Sequence, residues 1–257
     1  MCETESARTL PPPAIALASS ALFLDFDGTL VGLAPTPDAV VVPPGLPDVL
    51  RDLAHATSGA VAIITGRGIA DVDRFLAPLT LPAAGLHGLL QRDGEGVLHS
   101  APVDEAALAA IDCHCSAVVA AHEGVGIERK SHAVALHWRL APAAEAACQR
   151  AIEEMVAAHP GFIVQRGKCV AEARTRGADK GEAIQRFMRA SPFAGRAPVF
   201  IGDDLTDEAG FAAVHNVAEA RGVSIKVGQG ATAARYRLDD HEAVFRWLCA
   251  QLEAARR

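Results

Sequence analysis

Short apolar runs that stop abruptly at small or acidic residues punctuate this chain. Ala21-Leu22-Phe23-Leu24 ends at Asp25, Val61-Ala62-Ile63-Ile64 at Thr65-Gly66-Arg67, and Val199-Phe200-Ile201 at Gly202-Asp203-Asp204. None of the runs alternates apolar with polar positions, so each reads as a strand covered on both faces. Helical periodicity fills intervals between them, as over 46–56 and 69–76. Strand, helix, strand in this style predicts an α/β fold built on a doubly wound parallel sheet. Ligands of such sheets sit beyond the carboxyl ends of the strands, where the polar residues fall.

The pattern changes between about 105 and 173. A helix over 105–121 precedes strands at 125–131 and 132–140, then a helix over 142–159 with Pro142 in its first turn, then strands at 161–166 and 168–174. This αββαββ order predicts a small antiparallel sheet backed by helices, inserted into the larger fold. The expected organisation is a tail over 1–13, a core over 14–104 and 174–257, and a smaller α/β domain over 105–173. Pro11-Pro12-Pro13 marks the tail as disordered. Its few charges give no basic leader for secretion, which suggests a cytoplasmic protein.

Composition narrows the partners. The chain has 257 residues, half of them apolar, and carries a formal charge of −7. The apolar fraction excludes disorder, six cysteines in so long a chain exclude a disulfide scaffold, and the lack of any window near ~18 uninterrupted apolar residues excludes a membrane-spanning protein. The negative surface disfavours nucleic acid and anionic membranes, leaving a small molecule bound at a locally positive site. A monomer is expected. Of 24 basic residues only Lys130, Lys168, Lys180 and Lys226 are lysines. Cys113-His114-Cys115 has zinc-ligand types, but no second pair at ligand spacing follows, and it reads as part of a helix.

Two acidic groups stand at strand ends. Asp25-Phe26-Asp27-Gly28-Thr29 sets two carboxylates two residues apart, and Gly202-Asp203-Asp204 with Asp207 forms the second group. Each alone could be a polar strand terminus or a helix cap. If they converge in one crevice they repel unless a cation lies between them, and an all-oxygen ligand set selects a hard ion such as Mg²⁺. Thr65-Gly66-Arg67 offers a hydroxyl and backbone N–H groups at a strand-to-helix turn, which suits phosphate oxygens. Lys180 opens a helix, where the macrodipole disfavours a cation. That placement points to a nearby anion.

Asp-x-Asp-Gly-Thr, Thr-Gly-Arg, Lys-Gly and Gly-Asp-Asp-x-x-Asp, in this order, resemble the motifs of haloacid dehalogenase-like phosphatases. The resemblance implies that Asp25 is the nucleophile and forms an aspartyl-phosphate. It implies that Asp27 protonates the leaving oxygen and later activates water, and that Thr65 and Lys180 bind phosphoryl oxygens. Mg²⁺ would be held by Asp25, the main-chain carbonyl of Asp27, and Asp203, with Asp204 and Asp207 supporting.

The inserted domain narrows the family. Glu128 and Lys130 share one face of a strand, as do Lys168 and Glu172, and such pairs are often only solvated salt bridges. Yet Glu128-Arg129-Lys130, His137-Trp138-Arg139 and Gly167-Lys168 through Glu172 resemble the cap of trehalose-6-phosphate phosphatases, as does Gly85-Leu86-His87-Gly88 in the core. Leu89-Leu90 and Thr175 depart from that family's common residues. The resemblance implies that Glu128, Lys130, Arg139, Lys168 and Glu172 contact the disaccharide, with Gly66, Arg67 and His87 bordering the site. The expected reaction is hydrolysis of trehalose 6-phosphate. Sucrose-6-phosphate and mannosyl-3-phosphoglycerate phosphatases are the alternatives within the superfamily, and a catalytically silent sugar-phosphate sensor is the alternative outside enzymology.

Overall fold

The computed structural model describes residues 10–34, 36–100, 102–130, 132–167, 169–176, 179–217 and 222–256. The chain divides into two compact units, one of Met1–Ser100 with Ala178–Arg257 and one of Ala101–Gly177.

The first unit runs β1 (Ser20–Leu24), α1 (Leu46–Ala56), β2 (Val61–Ile64), α2 (Ile69–Leu76), β3 (Ala83–Gly85), β4 (Leu90–Arg92) and β5 (Leu98–Ser100). In the second unit follow α3 (Glu105–Ala121), β6 (Gly126–Lys130), β7 (Ala133–His137), α4 (Glu145–Ala158), β8 (Phe162–Gly167) and β9 (Val170–Thr175). The first unit then resumes with α5 (Lys180–Phe187), β10 (Ala197–Gly202), α6 (Glu208–Val217), β11 (Val223–Val227), β12 (Tyr236–Leu238) and α7 (His241–Ala255).

Its sheet has the order β12-β11-β10-β1-β2-β3-β4-β5, parallel from β12 to β3. β4 and β5 add an antiparallel edge that the apolar runs did not announce, because both are short and β5 is exposed. Successive residues of the central strands face opposite layers. Leu22, Leu24, Ile63 and Ile201 pack against Leu50 of α1, Val72 of α2 and Leu248 of α7. Ala21, Phe23, Ile64 and Phe200 pack against Ile184 of α5 and Phe211 of α6. This double covering is why the runs are continuously apolar. β2 lies on one side of β1 and β10 on the other, so the strand order reverses at β1. The carboxyl ends of these two central strands therefore open a crevice.

The second unit is an antiparallel sheet, β6-β7-β9-β8, with α3 and α4 on one face. Val134, Leu136, Ala171 and Ala173 meet Ile111, Cys115, Cys148 and Ile152 there. Cross-strand partners Glu128, Ala135, Glu172 and Gln165 stand on the opposite face. The chain adopts a 3₁₀ turn at Pro142–Ala144 before α4 begins. Consecutive helical positions diverge, so Cys113 is exposed while Cys115 is buried in the core, its thiol pushed up to about 12 by burial. Among the described residues, this segment joins no three-ligand cluster. Most of the tail lies outside the described residues, but Leu10 accepts from the Arg237 N–H at 3.1 Å and bridges Tyr236 of β12.

Candidate active site

Asp25 directly follows β1 and is fastened to the neighbouring strand by its N–H, which donates to the Ile201 carbonyl at 3.0 Å. The chain then folds back on itself. Gly28 N–H donates to Val31 O at 2.8 Å and Leu30 N–H to Phe26 O at 2.9 Å, while the Phe26 ring is buried beside Phe75. Gly28 has φ +76°, and a Cβ there would lie 2.0 Å from Asp203 Oδ2. Only glycine lets the second acidic segment approach so closely.

The second segment is shaped by Asp207. Its Oδ2 accepts from the N–H groups of Asp203 and Asp204, both at 2.9 Å, and Asp204 in turn caps Thr206 at 2.8 Å. This reciprocal capping satisfies the amides that open the turn. A Cβ on Gly202 would lie 2.3 Å from Asp207 Cγ, so the strand must end in glycine for the acid to tuck beneath it.

These two segments bring Asp25, Asp203 and Asp207 together, with ligand oxygens within 4.8 Å of one another. Lys180, the first residue of α5, reaches into the cluster from a helix start capped by Asp179. Its Nζ donates to Asp25 Oδ1 at 2.8 Å and Asp207 Oδ1 at 2.7 Å. Lys180, Asp25 and Asp207 are all buried. Burial alone would pull the ammonium down, but the charges of Asp25, Asp207 and Asp204 drive it above its ordinary value. Burial pushes Asp25 up to about 6 against the pull of Lys180, and Asp203 to about 6 with the added charge of Asp207. Asp207 rises to about 7 through burial and the charge of Asp25. Asp204 is held below the carboxylate range, because Lys180 and the Thr206 hydrogen bonds overcome its burial.

Asp25, Asp203, Asp204 and Asp207 outnumber the two buried ammonium groups beside them, those of Lys180 and Lys226, and leave negative charge uncompensated. The donor set is all oxygen, and carboxylates this close suit a hard divalent cation. The Asp207 carboxylate lies in the cluster, with Oδ1 accepting from Lys180 and Oδ2 from the Asp203 and Asp204 amides. Lys226 was missed. It is buried at the end of β11 and donates to the Asp203 carbonyl. The available signal was a lysine between Ile225 and Val227 in an otherwise buried strand.

The Asp27 carboxylate stands outside this cluster. Both of its oxygens accept from Arg67, at 2.6 Å from Nε and 2.7 Å from Nη2. The guanidinium also lies over Phe75 at 5.2 Å and Phe26 at 5.8 Å, and the Asp27 partnership raises its affinity for its proton. Thr65 is buried at the end of β2, where its Oγ1 accepts from the Arg67 N–H at 3.2 Å. The His87 ring packs on Gly66, and the main-chain N–H of His87 donates to Thr65 O at 3.0 Å.

In the second unit Lys130 Nζ lies 3.3 Å from Glu172 and 3.8 Å from Glu128, whose Oε2 is 3.1 Å from His137 Nε2. Arg139 lines a separate cavity of about 490 Å³ with Gly124, Gly126, His137 and Cys169. Lys168 lies outside the described residues.

Comparison with known proteins converges on one family. The profile described as "Trehalose-phosphatase" matches residues 23–242. The trehalose-6-phosphate phosphatase of Escherichia coli (strain K12) is 43% identical over 231 residues, covering 90% of this chain and 86% of that protein. A probable trehalose-phosphate phosphatase of Sinorhizobium fredii is 44% identical, covering 81% of this chain and 77% of its own length. Among solved structures, a trehalose-6-phosphate phosphatase related protein superposes with a TM-score of 0.69 at 28% identity, over 92% of this chain and 99% of that one.

Proposed function

The chain belongs to the trehalose-phosphatase family, and on that premise we propose that it hydrolyses trehalose 6-phosphate to trehalose and inorganic phosphate through an aspartyl-phosphate on Asp25. The observation that carries this reading is the buried cluster in which Lys180 bridges Asp25 and Asp207 beside Asp203.

Asp25 attacks phosphorus, forming a carboxyl oxygen–phosphorus bond as the bond to the sugar oxygen breaks. Asp27 gives up Arg67 hydrogen bonds as substrate enters, takes up a proton from solvent, and passes that proton to the leaving oxygen. Water then attacks the aspartyl-phosphate, Asp27 takes the water's proton, and Asp25 is restored with release of phosphate. Splitting hydrolysis in two lets one carboxyl group serve as acid and then as base. Thr65 Oγ1 and the amides of Gly66 and Arg67 meet the phosphoryl oxygens, while Lys180 offsets their charge and holds Asp25 still. Asp25, Asp203 and the Asp27 carbonyl would hold Mg²⁺, with Asp207 and Asp204 shaping the loop. The ion would offset the repulsion between a carboxylate and a phosphate dianion.

The second unit reads the sugar. Glu128, Lys130 and Glu172 are partly exposed on one sheet face and can exchange their mutual ion pairs for hydroxyl groups. Arg139, which follows β7, and Lys168, which lies outside the described residues, belong to the same proposal, as do His87 and Arg67 beside the phosphate. Domain roles, cytoplasmic residence and a monomeric state are part of the same proposal. Among the described residues, no helix is long and apolar enough to cross a membrane.

The test offers trehalose 6-phosphate, sucrose 6-phosphate and mannosyl-3-phosphoglycerate side by side, with and without EDTA. Fastest phosphate release from trehalose 6-phosphate, abolished by EDTA, is expected. Faster turnover of either competitor overturns the substrate, and undiminished turnover in EDTA overturns the ion.

A further inference from the structure

The phosphoryl-transfer roles above leave Lys226 unused. It stands on β11 between Ile225 and Val227 and is only 5% exposed. A lysine ammonium is strongly hydrated, so burying it is unfavourable unless it gains acceptors and countercharge. Lys226 pairs with Gly202 in the sheet register, which lets its side chain lean past the end of β10 onto the next peptide. There its Nζ donates to the main-chain carbonyl of Asp203.

The backbone of Asp203 is therefore gripped at both ends. Its N–H donates to Asp207 Oδ2 at 2.9 Å, and its C=O accepts from Lys226. With these two bonds fixed, the carboxylate points against Gly28 and into reach of Asp25. Lys180 holds the opposite side of the cluster through side-chain carboxylates. Lys226 instead acts on main chain, which sets where a ligand stands without occupying its oxygens.

We propose that Lys226 is a positioning residue whose ammonium fixes the Asp203 carbonyl, so that the Asp203 carboxylate is preorganised to bind a divalent cation together with Asp25. The inference deepens the phosphatase reading and rests on it. Partners of metal ligands in this position change metal affinity by roughly 10- to 100-fold.

Removing Lys226 has two opposed consequences, and their opposition makes the test sharp. Losing the anchor frees Asp203 and weakens cation binding. Losing a positive charge makes the pocket more anionic and strengthens it. The full chain, Lys226→Met and Lys226→Gln are titrated with Mn²⁺ in the absence of substrate, following free Mn²⁺ by electron paramagnetic resonance. Thermal unfolding of the metal-free proteins is followed in parallel. The anchor predicts Mn²⁺ binding weakened at least about tenfold in Lys226→Met, with a smaller loss in Lys226→Gln, which keeps an N–H donor. Raising Mg²⁺ is expected to restore kcat in Lys226→Met while the KM for the sugar phosphate at saturating Mg²⁺ stays unchanged. A general structural defect would not be repaired in this way. Mn²⁺ binding as tight as in the unsubstituted chain, or tighter, overturns the inference. If Lys226→Met does not fold, Lys226→Gln is judged by the same criterion. An unsubstituted chain that binds no Mn²⁺ sinks the phosphatase reading and the inference together.

Discussion

Each unit of the molecule carries a lysine set between two carboxylates, and burial makes the two clusters behave differently. In the core, Lys180 lies 2.8 Å from Asp25 and 2.7 Å from Asp207, and the three side chains are 3%, 5% and 0% exposed. In the smaller unit, Lys130 lies 3.3 Å from Glu172 and 3.8 Å from Glu128, with exposures of 35%, 13% and 50%. The core trio is short, dry and locked by main-chain hydrogen bonds. Its geometry is set before any ligand arrives, as phosphoryl transfer requires. The second trio is longer and more exposed at Lys130 and Glu128, so solvent screens its ion pairs and they are more easily exchanged. Under the proposed function, the buried trio would serve the chemistry and the more exposed one recognition.

This contrast predicts a graded set of effects. Asp25→Asn is expected to lower turnover by at least about four orders of magnitude, because the amide cannot serve as the nucleophile. Steady-state phosphate release measures it, and residual activity near that of the unsubstituted chain would remove Asp25 from the mechanism. Lys180→Met is expected to cost about 3–5 kcal/mol of stability as well as activity, since two buried carboxylates lose their partner. Denaturant unfolding checks this, and a loss below about 1 kcal/mol would mean the core trio behaves like a surface pair.

A third effect concerns pH in the metal-free protein. Asp25 and Asp203 are raised to about 6 and Asp207 to about 7, from an ordinary value of 3.8. The folded chain therefore binds more protons than the unfolded one between those limits. The stability these three acids contribute is fully present below the ordinary value and is lost as pH rises through about 6 to 7. Thermal unfolding in EDTA is expected to show this loss, with Mg²⁺ restoring stability near neutral pH. A metal-free melting temperature that climbs between pH 4 and pH 7 would contradict the burial of these acids. The smallest effect belongs to the other trio. Glu172→Gln is expected to change stability by no more than about 1 kcal/mol and to raise KM more than it lowers kcat. A fall in kcat with unchanged KM would place Glu172 in the chemistry instead.

Much of this was legible in the sequence, for identifiable reasons. The continuous apolar runs of β1, β2 and β10 exist because both sheet faces are covered, and their acidic endings mark the crevice. The edge strands β4 and β5 left no such trace, being three residues long and partly or wholly exposed. Asp25 and Asp203 stood out because two acidic groups end apolar strands that belong to one sheet, and Lys180 because a cation at a helix start opposes the macrodipole. The Lys180–Asp207 bond was hidden, because an acid early in a helix is equally well explained as a cap. The Arg67–Asp27 pair joins residues 40 positions apart, and only the fold discloses it. Lys226 was hidden for a similar reason, since the carbonyl it bonds lies just beyond the end of a neighbouring strand.

If the buried acids let Asp25 accept a phosphoryl group, that group is found on Asp25 during turnover. Rapid acid quenching during turnover of trehalose 6-phosphate, followed by peptide mass spectrometry, tests it most directly. The account predicts one phosphoryl group on the peptide containing Asp25, present with Mg²⁺ and absent with EDTA. Ongoing turnover with that peptide unmodified, or with the phosphoryl group on another residue, would contradict it.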